Sequence, residues 1–267
     1  MTRFETSAAG VPCFVDTLSS DVEAAMRFYG GIFGWEFAGP GTMPGDPPGR
    51  YFVARVDGDD VAGLGSAPAA AAPPAAWNTH VAVEGVADAT ARARAAGGTV
   101  VLGPVETPPA GRLAVISDPI GATFCLWEAG ERAGATRVNE PSAWAMSALT
   151  TPDPDAAEAF YGELFGWDAE AFGDGVWLWR LPGYVGGVPG QPVPRDVVAV
   201  LMAGGDDQPA GWGVDFWSTD AAAAADAAPA LGGSVVMAPF EQAGFRRTIL
   251  AAPDGAAFSV SELLAGR

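Results

Sequence analysis

The sequence predicts an α+β protein made of four βαβββ modules, and three observations lead to that fold class. The chain repeats itself: Phe28-Tyr29-Gly30-Gly31-Ile32-Phe33-Gly34-Trp35 recurs as Phe160-Tyr161-Gly162-Glu163-Leu164-Phe165-Gly166-Trp167, each copy preceded by an Asp, Asp21 or Asp153. The repeat continues in the same order, Trp77 and Gly97-Gly98 returning as Trp212 and Gly232-Gly233, and Pro119, Gly121, Phe124 and Glu128 as Pro253, Gly255, Phe258 and Glu262. A repeat of this length is a duplicated small domain rather than a solenoid unit. Within each half, short extended runs and helical segments follow the order strand, helix, strands, twice over.

Taken in order, Val11 to Leu18 reads as a strand, and Ser20-Asp21-Val22-Glu23 has the Ser-x-x-Glu form of a capping box opening a helix to about Gly30. Phe52 to Val56 and Val61 to Leu64 flank Asp57-Gly58-Asp59, a hairpin-turn sequence. Ser66 to Ala76, rich in Pro and Ala, reads as a linker. His80 to Val83 is the next strand, Asp88 to Ala96 a helix stopped by Gly97, and Thr99 to Leu102, Leu113 to Ile116 and Thr123 to Trp127 complete the first half. The second half repeats this as Trp144 to Leu149, Asp155 to Leu164, Trp177 to Leu181, Trp212 to Trp217, Ala221 to Leu231, Ser234 to Met237 and Ala257 to Ser261. Two domains are expected at residues 11–130 and 143–264, joined by a linker at 131–142.

Composition narrows the function classes. The 267 residues leave room for two domains that each close a core without disulfides. With 14 Lys+Arg against 32 Asp+Glu, a formal net charge of −18, the surface repels polyanions and argues against nucleic acid and anionic membrane as partners. A neutral or cationic small molecule is easier to accommodate, although acidity also serves solubility alone. No apolar run approaches the roughly 20 residues of a membrane span, and Met1-Thr2-Arg3-Phe4-Glu5 does not read as a signal peptide. Cys13 and Cys125 are too few for a disulfide framework, so a cytoplasmic protein, monomeric or homodimeric, is expected.

The two Phe-Tyr-x-x-x-Phe-Gly-Trp strings and Asp118-Pro119-x-Gly121-Ala122-x-Phe124 resemble those of the vicinal-oxygen-chelate superfamily, over about residues 11–130 and 143–264. That superfamily includes glyoxalase I, bleomycin-resistance proteins and extradiol dioxygenases. The resemblance implies that two modules in each half form one curved mixed sheet around a cavity, with helices on the convex face, and hence two cavities. It also locates where metal-dependent members carry His, Gln or Glu: Phe14 and Met146 on first strands, Cys125 and Ser259 on last strands, with Asn78 and Gly213 near the second-module position. None of these is a good ligand set for zinc, nickel or iron, so neither a metal nor a cofactor is expected.

Strand parity then separates two faces. Val81 and Val83, Phe124 and Leu126, and Phe258 and Val260 suit the helix-covered side. The opposite parity carries Phe14, Asp16, Asn78, His80, Thr123, Cys125 and Trp127 in the first half, and Met146, Ala148, Gly213, Asp215, Trp217, Ser259 and Ser261 in the second. His80, the single histidine, is either an acid–base group partnered by Asp16 or a structurally hydrogen-bonded strand residue. Cys125 reads as a buried thiol rather than a nucleophile. Trp177 and Trp179 share a strand face, and with Trp217 they either line a pocket for a flat apolar ligand or belong to the core. Asp215 adds complementarity to a cation. Gly63-x-Gly65 and Gly97-Gly98 lack the setting of a phosphate loop, and there is no nucleophile elbow.

The expected function is metal-free binding of an organic small molecule, aromatic or cationic, with sequestration of a toxic or antibiotic-like compound as its concrete form. The alternative is a metal-independent lyase, isomerase or hydroxylase-like enzyme of specialised metabolism using His80 and Asp16. A third reading is an interaction protein that uses the duplicated fold as a scaffold.

Overall fold

A computed structural model describes residues 7–43, 48–67, 75–186, 195–242 and 244–264. The first module consists of β1 (Pro12–Ser19), α1 (Val22–Phe33), β2 (Glu36–Met43), β3 (Gly49–Val56) and β4 (Asp59–Ser66). The second follows with β5 (Trp77–Ala82), α2 (Val86–Ala95), β6 (Thr99–Thr107), β7 (Gly111–Ser117) and β8 (Thr123–Ala129). The third is β9 (Trp144–Thr151), α3 (Pro154–Phe165), β10 (Asp168–Gly173), β11 (Val176–Arg180) and β12 (Val197–Ala203). The fourth is β13 (Gly211–Trp217), α4 (Ala221–Ala227), a 3-10 turn at Pro229–Leu231, β14 (Ser234–Gln242), β15 (Phe245–Ala251) and β16 (Ala257–Leu263).

The strands form two eight-stranded mixed sheets, ordered β2-β3-β4-β1-β5-β8-β7-β6 and β10-β11-β12-β9-β13-β16-β15-β14. In every module the first and last strands pair in parallel, as Asp16 opposite Gly63 and Asp215 opposite Ser259 illustrate, while the other two join antiparallel. This is the α+β arrangement of four βαβββ modules that the sequence predicts. Among the described residues no helix is long and apolar enough to cross a membrane.

Local chemistry accounts for most element boundaries. Helix α1 is capped by Asp21 rather than Ser20: its carboxylate accepts the backbone N–H of Ala24 at 2.9 Å, and Asp153 does the same for Ala156 at 3.0 Å on α3. The longer reach of a carboxylate at the residue next to the helix displaces the serine box. Both helices run past Gly30 and Gly162 to end at Gly34 and Gly166, whose φ values of 72° and 75° supply the left-handed cap. Asp57 and Gly58, at φ 52° and 84°, make the β3–β4 hairpin turn. The expected linker at Ser66 to Ala76 lies largely outside the described residues.

Four strands have no counterpart in the sequence reading: β2, β10, β12 and β15. Strand β2 contains Gly39-Pro40-Gly41 and a register shift against β3, which hide its alternation. The edge strand β10 is exposed along most of its length, β12 is an unbroken apolar run and β15 carries Arg246 and Arg247 directly after its first residue, Phe245.

Compactness follows a different division from the sequence halves. One unit comprises residues 1–14, 78–134 and 146–213; the other comprises 15–77, 135–145 and 214–267. In the first, Phe160 and Tyr161 of α3 pack with Phe124, Trp167, Trp179 and Trp212. In the second, Phe28, Tyr29 and Phe33 of α1 pack with Trp35, Trp77, Phe216 and Phe258. Each unit therefore combines modules from both halves. The Trp of each repeated string seals its unit by donating to a backbone carbonyl, Trp167 Nε1 to Gly10 and Trp35 Nε1 to Ser142, both at 2.7 Å.

The repeated glycine pairs fit this arrangement. Gly97 and Gly232, at φ 96° and 87°, take left-handed geometry after a helical turn. A Cβ on the next residue would collide with the ring of a Phe: 3.0 Å from Phe160 at Gly98, and 2.3 Å from Phe28 at Gly233. One glycine turns the chain and the other admits the aromatic.

Candidate functional site

Strand parity places the candidate residues on sheet faces opposite the cores. In the second unit, Val214 and Phe216 of β13 are buried in the core, so Asp215 and Trp217 face the other way. Register fixes their neighbours: Asp215 lies opposite Ser259 and then Ile249, and Trp217 opposite Ser261 and then Arg247. One oxygen, Asp215 Oδ1, accepts the hydroxyls of both Ser261, at 2.7 Å, and Ser259. Burial raises the Asp215 carboxyl above the usual carboxylate range, against the opposing pull of Ser259, the Arg247 charge and Ser261. Arg247 rests its guanidinium carbon 5.3 Å from the centre of the Phe245 ring, and its Nε is buried without a hydrogen-bond partner. Asp215, Trp217, Ser259 and Arg247 are all partly solvent-accessible.

The corresponding face of the first unit differs in chemistry and access. His80 lies opposite Cys125 and then Val115, and Ala82 opposite Trp127 and then Leu113. Where the fourth module has carboxyl, hydroxyls and guanidinium, the second has an imidazole among apolar side chains. Phe14 and Trp127 meet His80 edge-on at 5.9 and 6.2 Å. Phe14, His80, Cys125 and Trp127 are all buried, and Trp127 Nε1 donates to the Arg132 carbonyl at 2.9 Å. Cys13 donates its thiol to the His80 carbonyl at 3.5 Å, and burial pushes that thiol up to about 12. Asn78 lies on β5 at the parity of His80 and is partly exposed, as is Met146 on β9.

Asp16 belongs to the second unit, where its Oδ2 accepts the Tyr51 hydroxyl at 2.7 Å. Tyr51 escaped the sequence reading, and its signal was Gly63: a Cβ there would stand 2.0 Å from the Tyr51 oxygen. Gly63 is thus the gap across which the ring reaches Asp16.

The tryptophans need a correction. Trp179 is fully buried, 5.1 Å from Tyr161 and 5.2 Å from Trp167 by ring centre, and Trp177 packs against the same core. The position of Tyr161 beneath α3 decides which face of β11 is inward, so Trp179 belongs to the core and Trp177 packs against it. Trp217 is left as the ring on the open face. A depression of about 520 Å³ lies elsewhere, beside Arg180 to Val185 and Arg195. Its arginines are already engaged, Arg180 with Glu170 and Asp196, and Arg195 with the Gly186 carbonyl. The Asp215 face, with a donor still unspent, is the better candidate.

Residues 15–126 match the model of the "Glyoxalase/Bleomycin resistance protein/Dioxygenase superfamily", and residues 146–261 that of the "Glyoxalase-like domain". The chain belongs to this superfamily, the vicinal-oxygen-chelate group, with its two family domains in tandem. Among its relatives, the protein named "Putative glyoxylase CFP32" of Mycobacterium tuberculosis is 34% identical over 259 residues, 94% of each chain. The "Anthracycline biosynthesis protein DnrV" of Streptomyces peucetius is 33% identical over 285 residues, covering 100% of this chain and 97% of the other. The Mn(II)-bound glyoxalase of Novosphingobium aromaticivorans shares the fold with a TM-score of 0.64 at 17% identity, over 99% of this chain and 84% of that one.

The fold family implies a metal, and the donors present do not fit one. Phe14 and Met146 offer no ligand atom of use, Gly213 has no side chain, and Ser259 is committed to Asp215. Among the described residues no three His, Cys, Asp or Glu side chains converge on a point.

Proposed function

We propose that the protein binds an organic small molecule on the face carrying Asp215, Trp217, Arg247, Ser259 and Ser261, without metal chemistry. The observation that carries this reading is a partly open cluster in which a carboxyl, two hydroxyls, a guanidinium and an indole share one face. Such a mixture of ring and convergent polar groups suits recognition of a flat compound with a few fixed polar atoms. Two relatives are named as anthracycline biosynthesis proteins, which makes a polycyclic aromatic the first ligand to try. Sequestration of an antibiotic-like compound is the concrete form of the activity.

The test is titration of an anthracycline into the protein, followed by the ligand's own fluorescence, with Trp217→Ala as the comparison. Loss of a central aromatic anchor weakens binding by about 1–3 kcal/mol. Elemental analysis of protein equilibrated with Mn, Fe, Ni or Zn and then desalted completes it. One tightly held ion per half would overturn the metal-free reading.

A further inference from the structure

Most partly buried arginines here have carboxylate partners. Arg55 pairs with Asp60, Arg112 with Glu106 and Glu128, Arg137 with Asp57 and Glu140, and Arg246 with Glu241 and Glu262. Arg247, next in sequence to Arg246, points to the opposite face of β15, and among the described residues its Nε has no hydrogen-bond partner. Its Nε is withdrawn from solvent, and a buried donor without an acceptor costs about 1–3 kcal/mol.

The neighbouring groups do not meet that demand. Asp215 exerts an attraction on Arg247 without a formed ion pair, and its Oδ1 is taken by the two serine hydroxyls. What Arg247 Nε lacks on this face is an acceptor within hydrogen-bond distance. The ring best placed to hold a ligand's plane, Trp217, lies in the same cross-strand row as Arg247, with Ser261 between them.

We propose that this face recognises an aryl carboxylate, the Arg247 guanidinium taking the carboxylate oxygens and the Trp217 indole stacking on the aromatic ring. The proposal rests on this face being the ligand site and replaces the sequence-based preference for a cation. Arg is suited to the task because its planar fork matches a carboxylate with two parallel hydrogen bonds. Asp215 Oδ1 is held by the Ser259 and Ser261 hydroxyls, which offset part of the repulsion its carboxylate exerts on an incoming anion. The protein's net charge of −18 would favour a cation, so preference for an anion has to come from the local group.

The test is calorimetric titration of the full-length protein at 0.15 M salt, where long-range repulsion is largely screened. The probes are 1-naphthoate and 1-naphthylmethylammonium, which share a ring system and differ in charge. Naphthoate should bind at least tenfold more tightly than the ammonium compound. Arg247→Met should weaken naphthoate by about tenfold or more, as expected for a hydrogen bond to a charged group, and should not weaken the ammonium compound, whose repulsion by the guanidinium it removes. Trp217→Ala should weaken both. If Arg247→Met does not fold, Arg247→Lys carries the test, with a severalfold loss for naphthoate alone. Tighter binding of the ammonium compound, or an Arg247 variant that binds naphthoate as well as the parent, overturns the carboxylate assignment while sensitivity to Trp217 keeps the face as a site. Absence of saturable binding for both probes overturns the assignment and counts against the face itself.

Discussion

Tyr161→Phe deletes one oxygen from a buried chain of three side chains. Asp118 Oδ1 accepts the backbone N–H groups of Ile120, Gly121 and Ala122 at 2.8–2.9 Å, which shapes the turn before β8. Its other oxygen accepts the Tyr161 hydroxyl at 3.0 Å, and that hydroxyl accepts Trp212 Nε1 at 2.9 Å. Without the hydroxyl, a carboxylate oxygen and an indole N–H are left unpaired. Each such buried orphan costs about 1–3 kcal/mol, so roughly 2–4 kcal/mol is expected after relaxation. The duplication supplies an internal control. Tyr29 occupies the matching place beside Trp77 and Asp254, but its hydroxyl, Trp77 Nε1 and Asp254 Oδ2 stand too far out of line for well-formed hydrogen bonds, leaving Trp77 only a weak hold on Tyr29. Tyr29→Phe should therefore change stability by less than about 0.5 kcal/mol. Urea unfolding of both variants at pH 7, followed by circular dichroism, measures the difference. Equal destabilisation by the two substitutions would refute the assigned role of the Asp118–Tyr161–Trp212 chain.

Three further outcomes are expected. Asp215 has its pKa raised on folding, so its contribution to stability is fully present below the ordinary carboxylate pKa and is lost as pH rises through the raised value; Asp215→Asn should gain stability relative to the parent as pH rises above about 4, and a pH-independent difference in urea midpoints would contradict this. Gly233→Ala sets a Cβ 2.3 Å from the Phe28 ring and 2.5 Å from the Ala251 carbonyl, so a loss of about 1–3 kcal/mol should appear in thermal melts. Residues 11–130 expressed alone should give a poorly packed, dye-binding species, because Phe28, Tyr29 and Phe33 would lose Phe216 and Phe258; a cooperative melt with dispersed amide resonances would count against it.

What could be read in advance was what local chemistry determines. The Phe-Tyr strings were legible because their spacing encodes one helix face and a glycine cap, and Asp215 with Ser259 because parity on β13 and β16 is clean. Trp177 and Trp179 were ambiguous because strand parity says that two rings share a face, while Tyr161, distant in sequence, decides which face is inward. Tyr51 and Arg247 were missed for the same reason. Their roles depend on a gap at Gly63 and on the unpartnered Nε of Arg247, which are properties of the assembled sheet. The division into units was equally hidden, since a repeat shows where a module recurs and not which copy it packs against.

The interleaving of modules also sets an order of assembly. The unit built around α3 is completed by Trp212, so its aromatic core can close while the fourth module is still being synthesised. The unit built around α1 cannot: Phe28 and Tyr29 are made early and wait for Phe216 and Phe258, near the far end of the chain. Contacts so distant in sequence carry the larger loop-closure cost and form late. On the ribosome, the apolar side of α1 is thus the surface that stays uncovered longest, and it is where a chaperone would find this chain.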